Sequence, residues 1–194
     1  MIVYEIDSNI YINLTNKCSN ACEFCVRTTS DEYMPYDLWL KKEPAAEDVI
    51  KEIKEKYMNH SDFVFCGYGE PLYRLNEIIE VAKFLKANGK NTRLNTNGQA
   101  SLIVGDGVAE KLKGLIDRVS ISLNSYDAKT YNEICHCQFG DDGFYSLLEF
   151  AKECKDQGIN VNFSVVRAEG VDVDKTVALA DSLQIPIRIR ELIK

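Results

Sequence analysis

Apolar positions recur along the chain with two different periods, and the two kinds of stretch alternate. Residues 44–57 place Ala46, Val49, Ile50, Ile53 and Tyr57 three or four apart, with acids in the first turn, which predicts an amphipathic helix. Residues 75–87 repeat the pattern through Leu75, Ile78, Ile79, Ala82 and Leu85 and stop at Asn88-Gly89, a good C-terminal signal. Helices are also predicted over 144–154, ending at Gly158, and over 173–183, with a shorter helix or turn at 108–115. Strands are predicted between them, over 11–16, 63–66, 91–95, 118–124, 159–166 and 187–190. Strands that alternate with helices imply a parallel sheet with crossover helices, an α/β fold.

Parallel strands covered on both faces normally read as continuous apolar runs. Here Val119-Ser120-Ile121-Ser122-Leu123-Asn124, Val161-Asn162-Phe163-Ser164-Val165 and Ile187-Arg188-Ile189-Arg190 alternate strictly. Asn13 and Thr15 alternate with Ile12 and Leu14, and Arg93 and Asn95 flank Leu94. Period two puts each polar set on one face of its strand. One face then packs on helices. The other is either exposed β-structure or, given the helical crossovers, the polar lining of a partial (β/α)6 barrel.

Composition narrows the class. Hydrophobic residues are 45% and charged residues 27% of 194, the balance of a globular chain of one domain, and we find no linker or repeat to divide residues 1–194. The charge of −7 does not indicate nucleic acid. No apolar run is long enough to cross a bilayer, and the first residues lack the basic and apolar regions of a leader, so a cytoplasmic chain is expected. Seven cysteines, an odd number, argue against a disulfide framework.

Three of those cysteines form Cys18-x3-Cys22-x2-Cys25, directly after the first predicted strand. Thiolates select zinc, copper(I) or iron–sulfur clusters. Two readings stand: a zinc site completed by Cys66 or His60, or a cubane cluster whose fourth iron is left for a substrate or cofactor. After the second predicted strand comes Cys66-Gly67-Tyr68-Gly69-Glu70-Pro71. Its glycines let backbone carbonyls approach a ligand closely, and such carbonyls suit an ammonium group.

Taken together, the C-x3-C-x-aromatic-C motif and the following G-x-G-E-P motif resemble those of the radical S-adenosylmethionine (radical SAM) enzymes. The resemblance takes in the whole chain. The stretches 13–18, 22–27 and 65–71 are similar to those of the small TatD family-associated branch. The resemblance implies that Cys18, Cys22 and Cys25 hold a 4Fe-4S cluster and that S-adenosyl-L-methionine chelates its open iron. It implies that Phe24 packs beside the adenine, and that Gly67, Tyr68, Gly69 and Glu70 receive the methionine ammonium. Asn95, Thr96 and Asn97 match a family loop near the methionine. Ser122 and Asn124 fall where the fourth strand meets the carboxylate or ribose, and Asn162, Ser164 and Val166 where the fifth meets ribose and adenine. Tyr68 departs from the usual glycine. The implied reaction is reductive cleavage of S-adenosylmethionine to a 5′-deoxyadenosyl radical that takes hydrogen from a substrate. A flavodoxin or ferredoxin would supply the electron, and a TatD-type hydrolase would be a functional neighbour. A glycyl-radical-type activase acting on a partner protein, and a non-catalytic zinc-stabilised adaptor, are the alternatives.

Arg27, Arg93, Arg167, Arg188 and Arg190 fall near strand ends around the expected cavity. They suit either an anionic substrate group or internal pairing with Glu70, Glu169 or Glu191. Cys135-His136-Cys137 is a candidate second metal site with Cys154, or a set of packing residues. Tyr36 and Trp39 are either a lid or anchors.

Overall fold

A computed structural model describes residues 1–27 and 36–192. Seven strands form one sheet in the order β1-β2-β3-β4-β5-β6-β7. β1 (Val3–Ile6) and β2 (Asn9–Ile12) are an antiparallel hairpin; β3 (Asp62–Phe65), β4 (Asn91–Thr96), β5 (Arg118–Ser122), β6 (Asn160–Arg167) and β7 (Ile187–Glu191) continue in parallel from β2. The sheet does not close, and the fold is the expected α/β partial barrel. β1 goes beyond the sequence reading. It is turned by Asp7 and Ser8, both at positive φ.

Five helices lie where the periodicity puts them, and two more, over Ala100–Val104 and Ala128–Cys135, go beyond the sequence reading. α1 (Ala46–Lys56) buries Ala46, Val49 and Ile53, and the Asp48 carboxylate accepts from the Ala45 N–H. α2 (Leu75–Ala87) follows a 3-10 turn over Pro71–Arg74 and ends with Gly89 at φ 68°. Short α3 (Ala100–Val104) and α4 (Val108–Leu112) follow β4. α5 (Ala128–Cys135) follows β5, ahead of α6 (Asp142–Asp156). α7 (Val173–Ser182) joins β6 to β7.

Register explains the alternation. Leu94 pairs with Val119, and Ile121 with Phe163, all four within the core that α2 and α6 help to form. On the opposite face Asn95 lies beside Ser120, Ser120 beside Asn162, Ser122 beside Ser164, and Ser164 beside Arg188. The polar residues are thus one continuous surface.

The first parallel strand is shorter than predicted. Asn13 and Thr15 lie just past β2, and their side chains hold backbone instead of facing a ladder. Asn13 Nδ2 donates to the carbonyls of Leu38 (2.7 Å) and Met1 (3.1 Å), and Thr15 Oγ1 accepts from the Lys17 N–H (2.9 Å). Short polar side chains compete with β pairing in this way.

Candidate functional site

Three loops meet at the C-terminal ends of β2, β3 and β4. The first carries Cys18, Cys22 and Cys25, all half-buried. The second carries Gly67–Glu70, and the third carries Asn97, with Asn95 and Thr96 at the end of β4.

The Glu70 N–H donates to the Lys17 carbonyl at 2.8 Å, which ties the second loop to the first. A methyl group on Gly69 would lie 2.4 Å from the Thr15 carbonyl and 2.6 Å from that of Lys17; one on Gly67 would lie 2.0 Å from Asn13 Oδ1. These glycines are therefore required by the fit of one protein loop on another. Glu70 itself is buried. Its carboxylate accepts from Thr96 Oγ1 (2.7 Å), the Asn97 N–H (2.7 Å) and the Leu72 N–H (3.0 Å). Burial nevertheless pushes its carboxyl up to about 7. With its carboxylate oxygens so engaged, Glu70 joins loops, and its backbone carbonyl accepts from the Tyr73 N–H at 3.2 Å.

Asn97 Nδ2 donates to Ser19 Oγ at 2.7 Å, joining the third loop to the cysteine loop. Behind them Gln99 Nε2 reaches Asn20 Oδ1 (2.8 Å), the Tyr131 hydroxyl (3.0 Å) and Cys137 Sγ (3.2 Å), and Asn20 Nδ2 donates to the same hydroxyl (2.9 Å). The end of α5 completes the seat. The Ala21 N–H donates to the Cys135 carbonyl (2.9 Å), that of Glu23 to Ile134 (3.2 Å), and that of Gln138 to Ser19 (2.9 Å). Sequence reasoning missed α5 and this seat. The signal was Asp127, whose carboxylate caps the Thr130 N–H, ahead of buried Ala128, Tyr131, Ile134 and Cys135.

The thiols differ by environment. Burial, and then the negative field of Glu70, push Cys18 up to about 12. A hydrogen bond from the Cys135 thiol holds Cys22 down, while Cys135 is raised by that bond and by burial. Arg27 donates to the carbonyls of Asn16 (3.2 Å) and Asn20 (3.4 Å), so it folds back over the cysteine loop rather than reaching into the barrel. Phe24 packs against the core.

Farther round the opening, Asn124 stands at φ 53° and its Oδ1 accepts from the Val166 N–H at 3.2 Å, fastening β5 to β6. Asn162 Nδ2 donates to Ser120 Oγ at 2.9 Å, while Ser122 and Ser164 lie side by side on the polar face. Arg167 is exposed and pairs with Glu191 at 3.3 Å, the internal pairing among the two readings. Arg188 and Arg190 project from β7 beside Ser164 and Val166.

Other candidates do not assemble. Among the described residues no three His, Cys, Asp or Glu side chains gather about the position of a single metal ion. His60 lies ahead of β3, at the opposite end of the sheet, against the Ser8 carbonyl (3.4 Å); it cannot complete a zinc site with the cysteine triplet. Cys154 is in the core of α6, and Cys137 receives Gln99 and the Phe139 N–H, so the two are packing residues. Trp39 packs edge-on against Tyr68 (5.2 Å), and Tyr36 stands on Tyr4 with its hydroxyl on the Glu5 carbonyl (3.0 Å): both are anchors in the structure described.

The radical SAM superfamily profile matches residues 12–179. This chain belongs to that superfamily. Curated relatives include the GTP 3′,8-cyclase of Clostridium perfringens (strain 13), 26% identical over 196 residues, which takes in 96% of this chain and 54% of that protein. A probable GTP 3′,8-cyclase of Methanocaldococcus jannaschii is 30% identical over 140 residues, 69% of this chain and 41% of that protein. The radical SAM chain thus spans about half the length of the curated relatives it matches first. Among solved structures, native anSMEcpe with bound AdoMet superposes with a TM-score of 0.71 at 17% identity, over 95% of this chain and 51% of that one. The FeFe-hydrogenase maturase HydG from Carboxydothermus hydrogenoformans gives 0.66 at 18%, over 96% and 44%. At these identities the likeness is one of fold.

Members of the superfamily bind a 4Fe-4S cluster and S-adenosylmethionine. The residues present fit both groups. Three thiols share the loop that follows β2, a soft donor set that suits an iron–sulfur cluster. On the polar face, the buried Oδ1 of Asn95 has no partner within the protein. A buried acceptor in that state calls for a donor from an occupant.

Proposed function

We propose that the chain is the catalytic core of a radical SAM enzyme in which Cys18, Cys22 and Cys25 hold the cluster and the three joined loops hold S-adenosylmethionine. When bound, the reduced cluster and S-adenosylmethionine supply a 5′-deoxyadenosyl radical that takes a hydrogen atom from a substrate. The chain's own residues do the rest. Glu70, Asn97 and the end of α5 fix the cysteine loop. The Tyr68-Gly69-Glu70 stretch would receive the methionine ammonium, and Ser122, Asn162 and Ser164 offer polar partners along the sheet. The observation that carries this reading is the pair of bonds from Glu70 N–H to Lys17 and from Asn97 to Ser19, which bring three separate motifs to one place.

The similarity of residues 13–18, 22–27 and 65–71 to the TatD-associated branch supports a functional link to a TatD-type hydrolase, and a flavodoxin or ferredoxin is the fitting electron donor. A cytoplasmic setting fits the reducing chemistry; no helix among the described residues is long and apolar enough to cross a membrane. A second reading, an activase for a partner protein, draws on a relative from Methanocaldococcus jannaschii named for a glycyl-radical enzyme activating enzyme, 23% identical over 145 residues, 74% of this chain and 55% of that protein. Anaerobic reconstitution tests the core of the proposal. It should give a brown protein with about four irons and four sulfides per chain. A colourless protein with one zinc would overturn it.

A further inference from the structure

The polar face of the sheet carries cations that the protein does not match. Among the described residues, Arg93, Arg188 and Arg190 have no carboxylate within ion-pair distance, whereas Arg74 holds Glu43 and Glu77 and Arg167 holds Glu191. This occurs in a chain of net charge −7. Arg93 Nη2 donates to the Tyr11 hydroxyl at 3.3 Å, but its Nε is buried without a partner. Asn95, two residues on, leaves its buried Oδ1 unpartnered.

Register puts these groups on one surface. Asn95 neighbours Ser120, Ser120 neighbours Asn162, and two residues along that strand Ser164 neighbours Arg188 and Val166 neighbours Arg190. Steps of two keep Arg93, Asn95, Arg188 and Arg190 on the same face. In a flat sheet β3 and β7 would lie about 19 Å apart. Yet the Cys66 thiol, just past the end of β3, is raised by burial and lowered by Asn95 and by the charges of both Arg190 and Arg93. The open sheet of a partial barrel curves around its polar face, so strands at its two sides line one interior, in keeping with a thiol that feels both Arg93 and Arg190. A buried guanidinium N–H without a partner is costly, and an oxyanion relieves that cost with a charge-assisted bond.

We propose that Arg93, with Arg188 and Arg190, forms an oxyanion subsite inside the barrel for a carboxylate or phosphoryl group of the substrate. This rests on the radical SAM reading only for the identity of the occupant; the subsite belongs to the folded chain with or without a cluster.

Isothermal titration of cluster-free protein with inorganic phosphate, pyrophosphate and succinate tests it. At least one should bind saturably, and the preference separates a phosphoryl from a carboxylate occupant. Arg93→Gln and Arg190→Gln should each weaken that binding on the order of tenfold, with Arg190→Gln as the exposed, fold-neutral substitution. Lys129→Gln, on the exposed face of α5, should bind as wild type does, and Cys22→Ala should keep the anion while losing the cluster. No saturable binding of any of the three, or unchanged affinity in both arginine variants, would overturn the subsite. Failure of Cys22→Ala to lose its cluster would instead count against the cofactor reading and leave the titration result to be judged by itself.

Discussion

Asn97 on the loop after β4 donates its side-chain N–H to the hydroxyl of Ser19, 2.7 Å away and 78 residues earlier in the chain. Ser19 directly follows Cys18, so Asn97 sets the position of the cysteine loop. Its Oδ1 also accepts from the Gln99 N–H at 3.1 Å. Asn97→Ala leaves both partners unsatisfied in a buried place. The expected loss is about 1–3 kcal/mol of stability, read by denaturant unfolding, together with fewer irons retained per chain after anaerobic reconstitution. Wild-type iron retention in that variant would mean the loop is held elsewhere.

Glu70 gives the fold a pH dependence. Its carboxyl is raised from 4.5 to about 7 by burial. A group whose folded value lies above its unfolded value contributes stability that is fully present below the unfolded value and lost as pH rises through the folded one. Cluster-free protein should therefore lose stability between about pH 5 and 8, and Glu70→Gln should flatten that part of the profile. The same slope in wild type and variant would assign the effect to another group.

Gly69 has no room for a side chain. The atoms a methyl would meet, at 2.4 and 2.6 Å, are backbone carbonyls. Gly69→Ala must therefore move the cysteine loop or the Glu70 loop, and a fall of several degrees in melting temperature with poor cluster loading is expected. Gly89→Asn is the control, because φ there is 68° and the space is open. Equal stability of the two variants would contradict the packing described.

The Cys135 thiol holds Cys22 down but lies on α5, outside the triplet. Cys135→Ala should keep about four irons per chain, where Cys18→Ala, Cys22→Ala and Cys25→Ala should not. Loss of the cluster in Cys135→Ala would make it a fourth ligand.

α1, α2, α4, α6, α7 and the five parallel strands from β3 onward were legible, most of them from the period of their apolar positions and β3 from its short apolar run Phe63–Phe65. The cysteine triplet and the Gly-Glu-Pro turn were legible because their chemistry depends on local spacing. What escaped depends on distant contacts. β1 is an edge strand whose partner comes only through a turn at Asp7 and Ser8, positions where glycine would normally mark the bend. Asn13 and Thr15 read as strand, but they bond to backbone that includes Leu38, 25 residues away. Arg27, read as either a substrate contact or an internal partner, donates to carbonyls of its own loop. The role of α5 as a seat for the cysteine loop rests on bonds across more than a hundred residues, such as Asn20 to Tyr131, which no local pattern reports.

The most direct measurement is 5′-deoxyadenosine formation by reconstituted protein, incubated anaerobically with dithionite and S-adenosylmethionine, in wild type beside Cys22→Ala. Wild type should release 5′-deoxyadenosine together with methionine, and Cys22→Ala should release none. Equal release from both, or none from a wild-type protein that carries its cluster, would contradict the cofactor assignment.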